Sequence, residues 1–113
     1  MHEMSLAENV LQIIEDAART EPFHRVRKVV LEIGALSAVE PEAMRFCFDS
    51  VVRGSVAEGA QLEIIETAGV GRCTACGMTV SLQEQYGLCP ECGSARIEIV
   101  AGKQMRVRDL EVE

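Results

Sequence analysis

The apolar residues between Leu6 and Ala17 recur three or four positions apart, the spacing of an amphipathic helix. The letters SLAE at positions 5–8 match a capping box, in which a serine hydroxyl and a glutamate carboxylate satisfy each other's backbone N–H groups. The helix should end before Pro22, because a proline disfavours helical backbone in the residue that precedes it. We therefore expect a helix that begins at Ser5, with residues 1–4 outside it.

A second helical pattern starts at Pro41, a residue type favoured in the first turn of a helix. Its apolar stripe includes Cys47, which this spacing predicts to be a small buried hydrophobe rather than a reactive thiol. Gly54 fits the end of this helix, because glycine is favoured just past a helix C-terminus.

Strand patterns separate and follow these helices. Residues 25–34 and the segment around Leu62 and Ile64 are rich in β-branched and large apolar side chains. Near the end of the chain the apolar positions change parity at Arg108 and Asp109, which predicts a strand with a bulge. The order predicts an α+β fold with two helices on a three-stranded sheet, built from residues 1–70 and 100–113.

Charge and composition narrow the classes of function. The formal net charge is −7, and residues 1–70 carry six Lys and Arg against twelve Asp and Glu. An acidic chain repels phosphate backbones and anionic membranes, so the charge disfavours both as partners. No apolar run is long enough to span a bilayer, and no signal peptide pattern is present, so we expect a cytoplasmic protein whose cysteines stay reduced.

Residues 71–99 differ from the rest, because they are rich in Cys and Gly and poor in large apolar side chains. They contain two Cys-x-x-Cys-Gly knuckles, twelve residues apart. Two such knuckles can surround one ion with four thiolates, and the glycine after each lets backbone N–H groups point at the sulfurs. The predicted ligands of this metal site are Cys73, Cys76, Cys89 and Cys92.

Zinc is the expected metal, because it favours soft ligands in tetrahedral geometry, and four protein ligands leave no open position for catalysis. Iron is the alternative, since rubredoxin-like electron carriers use similar knuckles. Tyr86 is the one aromatic residue in the insert, which favours zinc.

The N-terminal letters MHE offer a second kind of metal site. The α-amine of Met1, the following amide nitrogen and the His2 imidazole can form two chelate rings in one plane, with Glu3 adding a backbone nitrogen or a carboxylate oxygen. Planar nitrogen-rich coordination suits Ni(II) and Cu(II) rather than zinc. Taken alone, a histidine near a terminus is more often a solvated residue than a metal ligand. The other histidine, His24, lies just before the first predicted strand and is interpreted as a surface residue.

These segments together resemble the HypA/HybF family of nickel-insertion accessory proteins. The resemblance runs over the whole chain and rests on MHEMSLAENVLQII, VVLEIGALSAVEPEAMRFCFDSV, GAQLEIIE, the paired knuckles and the closing RVRDLEVE. The opening MHE and the VEPEAMRFCFD stretch are its most specific parts.

The resemblance implies a nickel metallochaperone for [NiFe]-hydrogenase maturation, with urease served by some relatives. It implies nickel binding at His2, with Met1 and Glu3 contributing, and structural zinc on the four cysteines. Residues 1–70 and 100–113 would then be a nickel-binding domain and residues 71–99 a zinc-binding domain. The implied partners are a nickel-handling GTPase of the HypB type and the hydrogenase large-subunit precursor, with the chain a monomer or dimer.

Two other functions remain open at this point: a zinc-ribbon adaptor for proteins without a nickel role, and a rubredoxin-like iron electron carrier. An enzyme is not expected, because we find no nucleophile–base pair and no phosphate-binding glycine loop. The insert has no histidine, so histidine-dependent switching at the zinc site, known in some relatives, is not expected.

Overall fold

The structure, a computed structural model, describes residues 2–85 and 87–113. It confirms the α+β fold class with two helices. The helices are α1 (His2–Thr20) and α2 (Pro41–Val51). The strands are β1 (Val26–Gly34), β2 (Gln61–Thr67), β3 (Gly69–Cys73), β4 (Thr79–Leu82), β5 (Ile97–Ala101) and β6 (Met105–Val112).

The first helix begins earlier than its capping-box pattern predicts. It starts at His2, so residues 2–4 are helical and Ser5 is an exposed residue inside the helix rather than its cap. Glu3 lies in the first turn, where its negative charge stabilises the helix dipole, and its carboxylate accepts a hydrogen bond from the Glu40 N–H. The prediction for the other end is confirmed, because α1 ends at Thr20.

The second helix begins at Pro41, as predicted. Glu40 is the N-cap, with extended backbone and a side chain that accepts a hydrogen bond from the Glu42 N–H at 3.2 Å. The helix ends at Val51, and Gly54, the predicted stop, lies three residues later with a φ of 76°.

The two helices pack against each other, and strand β1 also has buried apolar side chains. Cys47 is 1 % exposed, which confirms its prediction as a buried hydrophobe. Apolar side chains of α1, of α2 and of β1 up to Leu31 are fully or almost fully buried. They are Ala7, Val10, Ile14, Val26, Val29, Leu31, Met44, Cys47 and Phe48.

The predicted three-stranded sheet is present, with the order β2-β1-β6. Along β6, Met105, Val107 and Leu110 are partly buried, whereas Arg108 and Asp109 are both exposed. The phase of burial therefore shifts at the predicted pair of residues.

A second sheet, with the order β4-β3-β5, lies within the segment that sequence patterns left without strands. Its strands are antiparallel, and Gly71 of β3 is opposite Val80 of β4 and Ile99 of β5. These strands have only four or five residues and include glycines and polar side chains, so they have no strong alternation to mark them.

Contacts within the chain define two compact units. The first unit comprises residues 1–31, 39–65 and 107–113, and the second comprises residues 32–38 and 66–106. The assignment of nickel binding to residues 1–70 and 100–113, and of zinc binding to residues 71–99, stays a prediction. Within the described part of the chain, neither helix combines the length and the apolar character needed to cross a membrane.

Candidate metal centre

The first knuckle follows directly from strand β3, which ends at Cys73. The Cys73 N–H donates to the Met78 carbonyl at 2.9 Å, and the Gly77 N–H donates to the Cys73 carbonyl at 2.8 Å. Gly77 has a φ of 80°, in the left-handed region that favours glycine. These bonds close a tight turn with Cys76 at its far side.

The second knuckle repeats this turn sixteen residues later. The Cys89 N–H donates to the Ser94 carbonyl and the Gly93 N–H donates to the Cys89 carbonyl, both at 2.8 Å. Gly93 has a φ of 76°. The prediction that both glycines take left-handed backbone is confirmed, and the two knuckles share one hydrogen-bond pattern.

The four sulfur atoms lie within 4.8 Å of one another. Cys73 Sγ is 3.6 Å from Cys92 Sγ, and Cys76 Sγ is 3.7 Å from Cys89 Sγ, so each short distance joins the two knuckles. A zinc ion bonded to four sulfurs at about 2.3 Å needs sulfur–sulfur distances of about 3.8 Å in a tetrahedron. The cluster therefore has the size and the donor set for one tetrahedral, thiolate-bound ion.

The pKa values of the thiols in the cluster are shifted in different directions. The Cys76 N–H, with a smaller effect from the Ala75 N–H and two thiols, outweighs desolvation and lowers the pKa of Cys73 to about 6. The Met78 N–H lowers the pKa of Cys76, but desolvation and bonds to the other thiols outweigh it and raise the pKa to about 12. Without a cation, one thiolate is therefore stabilised by protons on its neighbours, and a divalent ion would replace those protons.

Burial divides the four cysteines into an inner and an outer pair. Cys73 and Cys89 are almost fully buried, whereas Cys76 and Cys92 are exposed. The inner pair packs in a small apolar cluster with Val80, Leu82 and Ile97. All four positions around an ion would be filled by protein, so the site is suited to holding structure rather than to binding a substrate.

The N-terminal candidate site lies on the first turn of α1. His2 is exposed and is the first residue of the helix; Met1 lies outside the described residues. The first N–H groups of a helix have no intrahelical acceptor, so the amide nitrogens next to His2 are not held by helical hydrogen bonds. His24 is also exposed, as interpreted from the sequence.

Glu3 makes a contact that sequence patterns do not reveal. Its Oε2 accepts a hydrogen bond from the Glu40 N–H at 3.2 Å, across 37 positions in the chain. This bond, with further contributions from the Glu3 N–H, lowers the pKa of the Glu3 carboxyl. The Glu3 carboxylate thus connects the first turn of α1 to the N-cap of α2. Glu3 is the residue next to His2.

A family model described as "Hydrogenase/urease nickel incorporation, metallochaperone, hypA" matches residues 1–112 of the chain. The chain is 57 % identical over 113 residues to a protein of Dechloromonas aromatica and 58 % identical to one of Albidiferax ferrireducens. Both are named "Hydrogenase maturation factor HypA", and both alignments cover all of each chain.

Two solved structures share the fold. One, the solution structure of the Ni metallochaperone HypA from Helicobacter pylori, has a TM-score of 0.72 and 27 % identity over 97 % of this chain and 96 % of that one. The other, the solution structure of a HypA protein, has a TM-score of 0.72 and 28 % identity, and covers 100 % of this chain and 97 % of the other.

Proposed function

This chain belongs to the HypA family of hydrogenase maturation factors, and we propose that it carries Ni(II) for insertion into [NiFe]-hydrogenase. The observation that carries the proposal is an exposed His2 on the first turn of α1. A similar fold of known structure is described as a Ni metallochaperone, which supports nickel as the cargo. The proposed ligands are the α-amine of Met1, the His2 amide nitrogen and the His2 imidazole.

This ligand set suits delivery rather than storage. The three nitrogens lie on consecutive groups of one chain end, so nickel can be bound in a plane while its other faces stay open to a partner's ligands. Each nitrogen must lose a proton before it binds the metal, so nickel affinity falls as the pH falls. A site on an exposed first turn binds nickel without enclosing it.

We propose that Glu3 positions the nickel site through its carboxylate rather than by binding the metal. The carboxylate accepts the Glu40 N–H, and this bond holds the first turn of α1 in place. The amine and the imidazole already take the two in-plane positions next to the His2 amide nitrogen, so the Glu3 amide nitrogen cannot join this plane, and the fourth position is left to another ligand. The side chain then serves as a positioning group for the nickel site.

We propose that zinc binds Cys73, Cys76, Cys89 and Cys92. Four thiolates at tetrahedral spacing favour zinc over nickel and over oxygen-preferring cations. When bound, zinc supplies no chemistry beyond a cross-link between the two knuckles, which stabilises a unit with a small apolar cluster. The rubredoxin-like alternative would place iron on the same sulfurs and give a coloured protein.

The proposed partners are a nickel-handling GTPase of the HypB type and the precursor of the hydrogenase large subunit. Urease is a further proposed recipient, because the family model names it beside hydrogenase. The chain itself is proposed to act in the cytoplasm without enzymatic activity, so any hydrolysis of GTP belongs to a partner. The zinc knuckles would act as a rigid arm that contacts partners.

The experiment that tests this function is complementation in a strain that lacks the gene for this chain. We expect the wild-type chain to restore [NiFe]-hydrogenase activity, and His2→Ala to restore little of it while keeping normal protein level and zinc content. The matched control is His24→Ala, which removes an exposed histidine elsewhere. Equal rescue by His2→Ala and His24→Ala would contradict the proposal and favour a zinc-ribbon adaptor without a nickel role.

A further inference from the structure

Cys76 and Cys92 form the exposed half of the thiolate cluster. Residues 74–79 and 90–93, which include both of them, are all exposed, so a small reagent in solvent can reach the outer sulfurs. Cys73 and Cys89, by contrast, are 0 % and 2 % exposed. A cysteine that binds a metal does so as a thiolate, and accessible thiolates are the cysteine groups most open to oxidation.

Each exposed sulfur also contacts a buried sulfur of the other knuckle. Cys92 Sγ lies 3.6 Å from Cys73 Sγ, and Cys76 Sγ lies 3.7 Å from Cys89 Sγ. A disulfide bond is about 2.05 Å long, so each pair needs an approach of only about 1.6 Å to form one. An oxidised cysteine is resolved to a disulfide when a second thiol lies beside it, and both pairs have this arrangement.

Disulfides in these two pairs would connect the same parts of the chain that zinc is proposed to connect. Both join the first knuckle to the second, and the inner cysteine of each pair packs in the apolar cluster with Val80, Leu82 and Ile97. The cross-link would therefore survive the loss of the metal. The sheet β4-β3-β5 would then keep a covalent support that a reduced, metal-free unit lacks.

The fifth cysteine provides an internal comparison. Cys47 is 1 % exposed on α2, and it is the one cysteine of the first unit, whereas the other four belong to the second. Buried structural cysteines are inert towards reagents in solvent. Oxidation should therefore separate Cys47 from the cluster within a single chain.

The surroundings of the knuckles favour a small and neutral oxidant. Exposed Glu91 lies in the second knuckle, and exposed Arg96 accepts the Thr74 N–H of the first through its carbonyl, so charges of both signs are present. A charged oxidant is thus not favoured by either sign. All four sulfurs lie within 4.8 Å of one another, so a single oxygen atom added to an outer sulfur disturbs its neighbour less than a peptide-sized group would. A hydroperoxide has both properties.

We propose that the thiolate cluster is a site of reversible oxidation by a hydroperoxide, with disulfides that pair Cys73 with Cys92 and Cys76 with Cys89 as products. With hydrogen peroxide, the outer thiolate attacks one oxygen, the O–O bond breaks, and a sulfenic acid and a hydroxide ion form. The inner thiolate then attacks the sulfenic sulfur, the S–S bond forms, and a second hydroxide ion leaves. Four thiolates thus transfer four electrons to two peroxide molecules and produce four hydroxide ions.

The disulfide sulfurs no longer bind zinc as thiolates, so oxidation releases the metal. The inference rests on the proposed zinc site, because it assigns a modification to the same four cysteines. The first unit contains none of them, so its core should be unchanged by the reaction.

The test exposes the intact, zinc-loaded chain to hydrogen peroxide and measures released zinc with a chromophoric chelator. We expect the release of about one zinc ion per chain for about two peroxide molecules consumed. Peptide mapping by mass spectrometry, after free thiols are blocked, should find the two disulfides between the knuckles and an unmodified Cys47. Dithiothreitol with added zinc should restore the starting zinc content.

Two comparisons separate this reaction from simple loss of the metal. Cys47→Ala removes the one thiol outside the cluster and should release zinc at the wild-type rate. In amide NMR spectra, the signals of β3, β4 and β5 should persist after oxidation, because disulfides replace the metal cross-link. The same signals should weaken when a chelator removes zinc from the reduced chain.

Retention of zinc under peroxide, disulfides within one knuckle or disulfides that include Cys47 would overturn the inference. It would also be overturned by loss of the second sheet on oxidation to the same extent as on chelation. Release of zinc by glutathione disulfide but not by hydrogen peroxide would contradict the class of oxidant and overturn it likewise. The zinc content before oxidation separates these results from the proposed function, because a chain purified without zinc would overturn the zinc site itself.

Discussion

Gly77 and Gly93 show how single residues shape the thiolate cluster. Each has a left-handed φ and donates its N–H to the carbonyl of the first cysteine of its knuckle. This feature is predictable from sequence, because the ligands and the glycine lie within five consecutive residues. The contact between Glu3 and the Glu40 N–H is not, because its partners lie 37 positions apart and meet only through the packing of α1 on α2.

The glycines of the knuckles can be tested by alanine substitution. A Cβ at Gly77 would meet no atom within 4 Å, so Gly77→Ala introduces backbone strain without a clash. That strain costs about 1–2 kcal/mol, which predicts a roughly tenfold loss of zinc affinity in competition with a chromophoric chelator. Gly87→Ala is the matched control, because a Cβ there is also unhindered and its φ is not left-handed. Equal zinc affinity in the two variants would show that the knuckle does not need this conformation.

At the scale of elements, long amphipathic patterns predicted secondary structure correctly, whereas short or charged segments did not reveal theirs. Both helices and strands β1, β2 and β6 follow from apolar periodicity. The start of α1 does not follow from the sequence pattern. Ser5 and Glu8 match a capping box, but the same spacing also occurs between two exposed residues inside a helix, which is where they lie. Strands β3 to β5 were missed, since they are held by pairing within their own sheet and by the cysteine cluster rather than by a large apolar face.

Arg45 links α2 to β2 through a partly buried hydrogen bond to the Leu62 carbonyl. Arg45→Met keeps much of the side-chain volume but leaves the Leu62 carbonyl without its donor. We expect the free energy of unfolding to fall by about 1–3 kcal/mol, measured by urea denaturation of the zinc-loaded protein. Arg53→Met makes the same change at an exposed position after α2 and should stay within about 0.5 kcal/mol of the wild type. A similar small effect for both variants would mean that Arg45 does not secure the helix.

At the scale of the whole molecule, the two units differ in what stabilises them. The first contains most of the apolar core, from α1, β1 and α2, whereas the cluster in the second is Cys73, Val80 and Cys89 with Leu82 and Ile97 packed on it. Composition predicts this difference, because residues 71–99 have few large apolar side chains. The extent of each unit was harder to anticipate, since the second also includes residues 32–38, which follow in sequence directly from the core of the first.

Removal of zinc should therefore affect the units unequally. We expect a strong chelator at neutral pH to disorder residues around the two knuckles, because binding of a structural metal contributes directly to folding. The helices of the first unit should persist, since their core does not include the cysteine cluster. Backbone amide NMR spectra before and after chelation measure both outcomes. Simultaneous loss of the α1 and α2 signals would show that the first unit depends on the metal as well.

The measurement that tests the central claim most directly is a calorimetric nickel titration of the untagged chain with its native Met1. The account predicts about one nickel per chain for the wild type and for His24→Ala, and loss of this binding in His2→Ala with zinc content unchanged. A chain extended by Gly-Ser before Met1 should also lose it, because the α-amine is then too far from His2. If His2→Ala and the extended chain bind nickel as the wild type does, the nickel site is not at the N-terminus and the central claim is wrong.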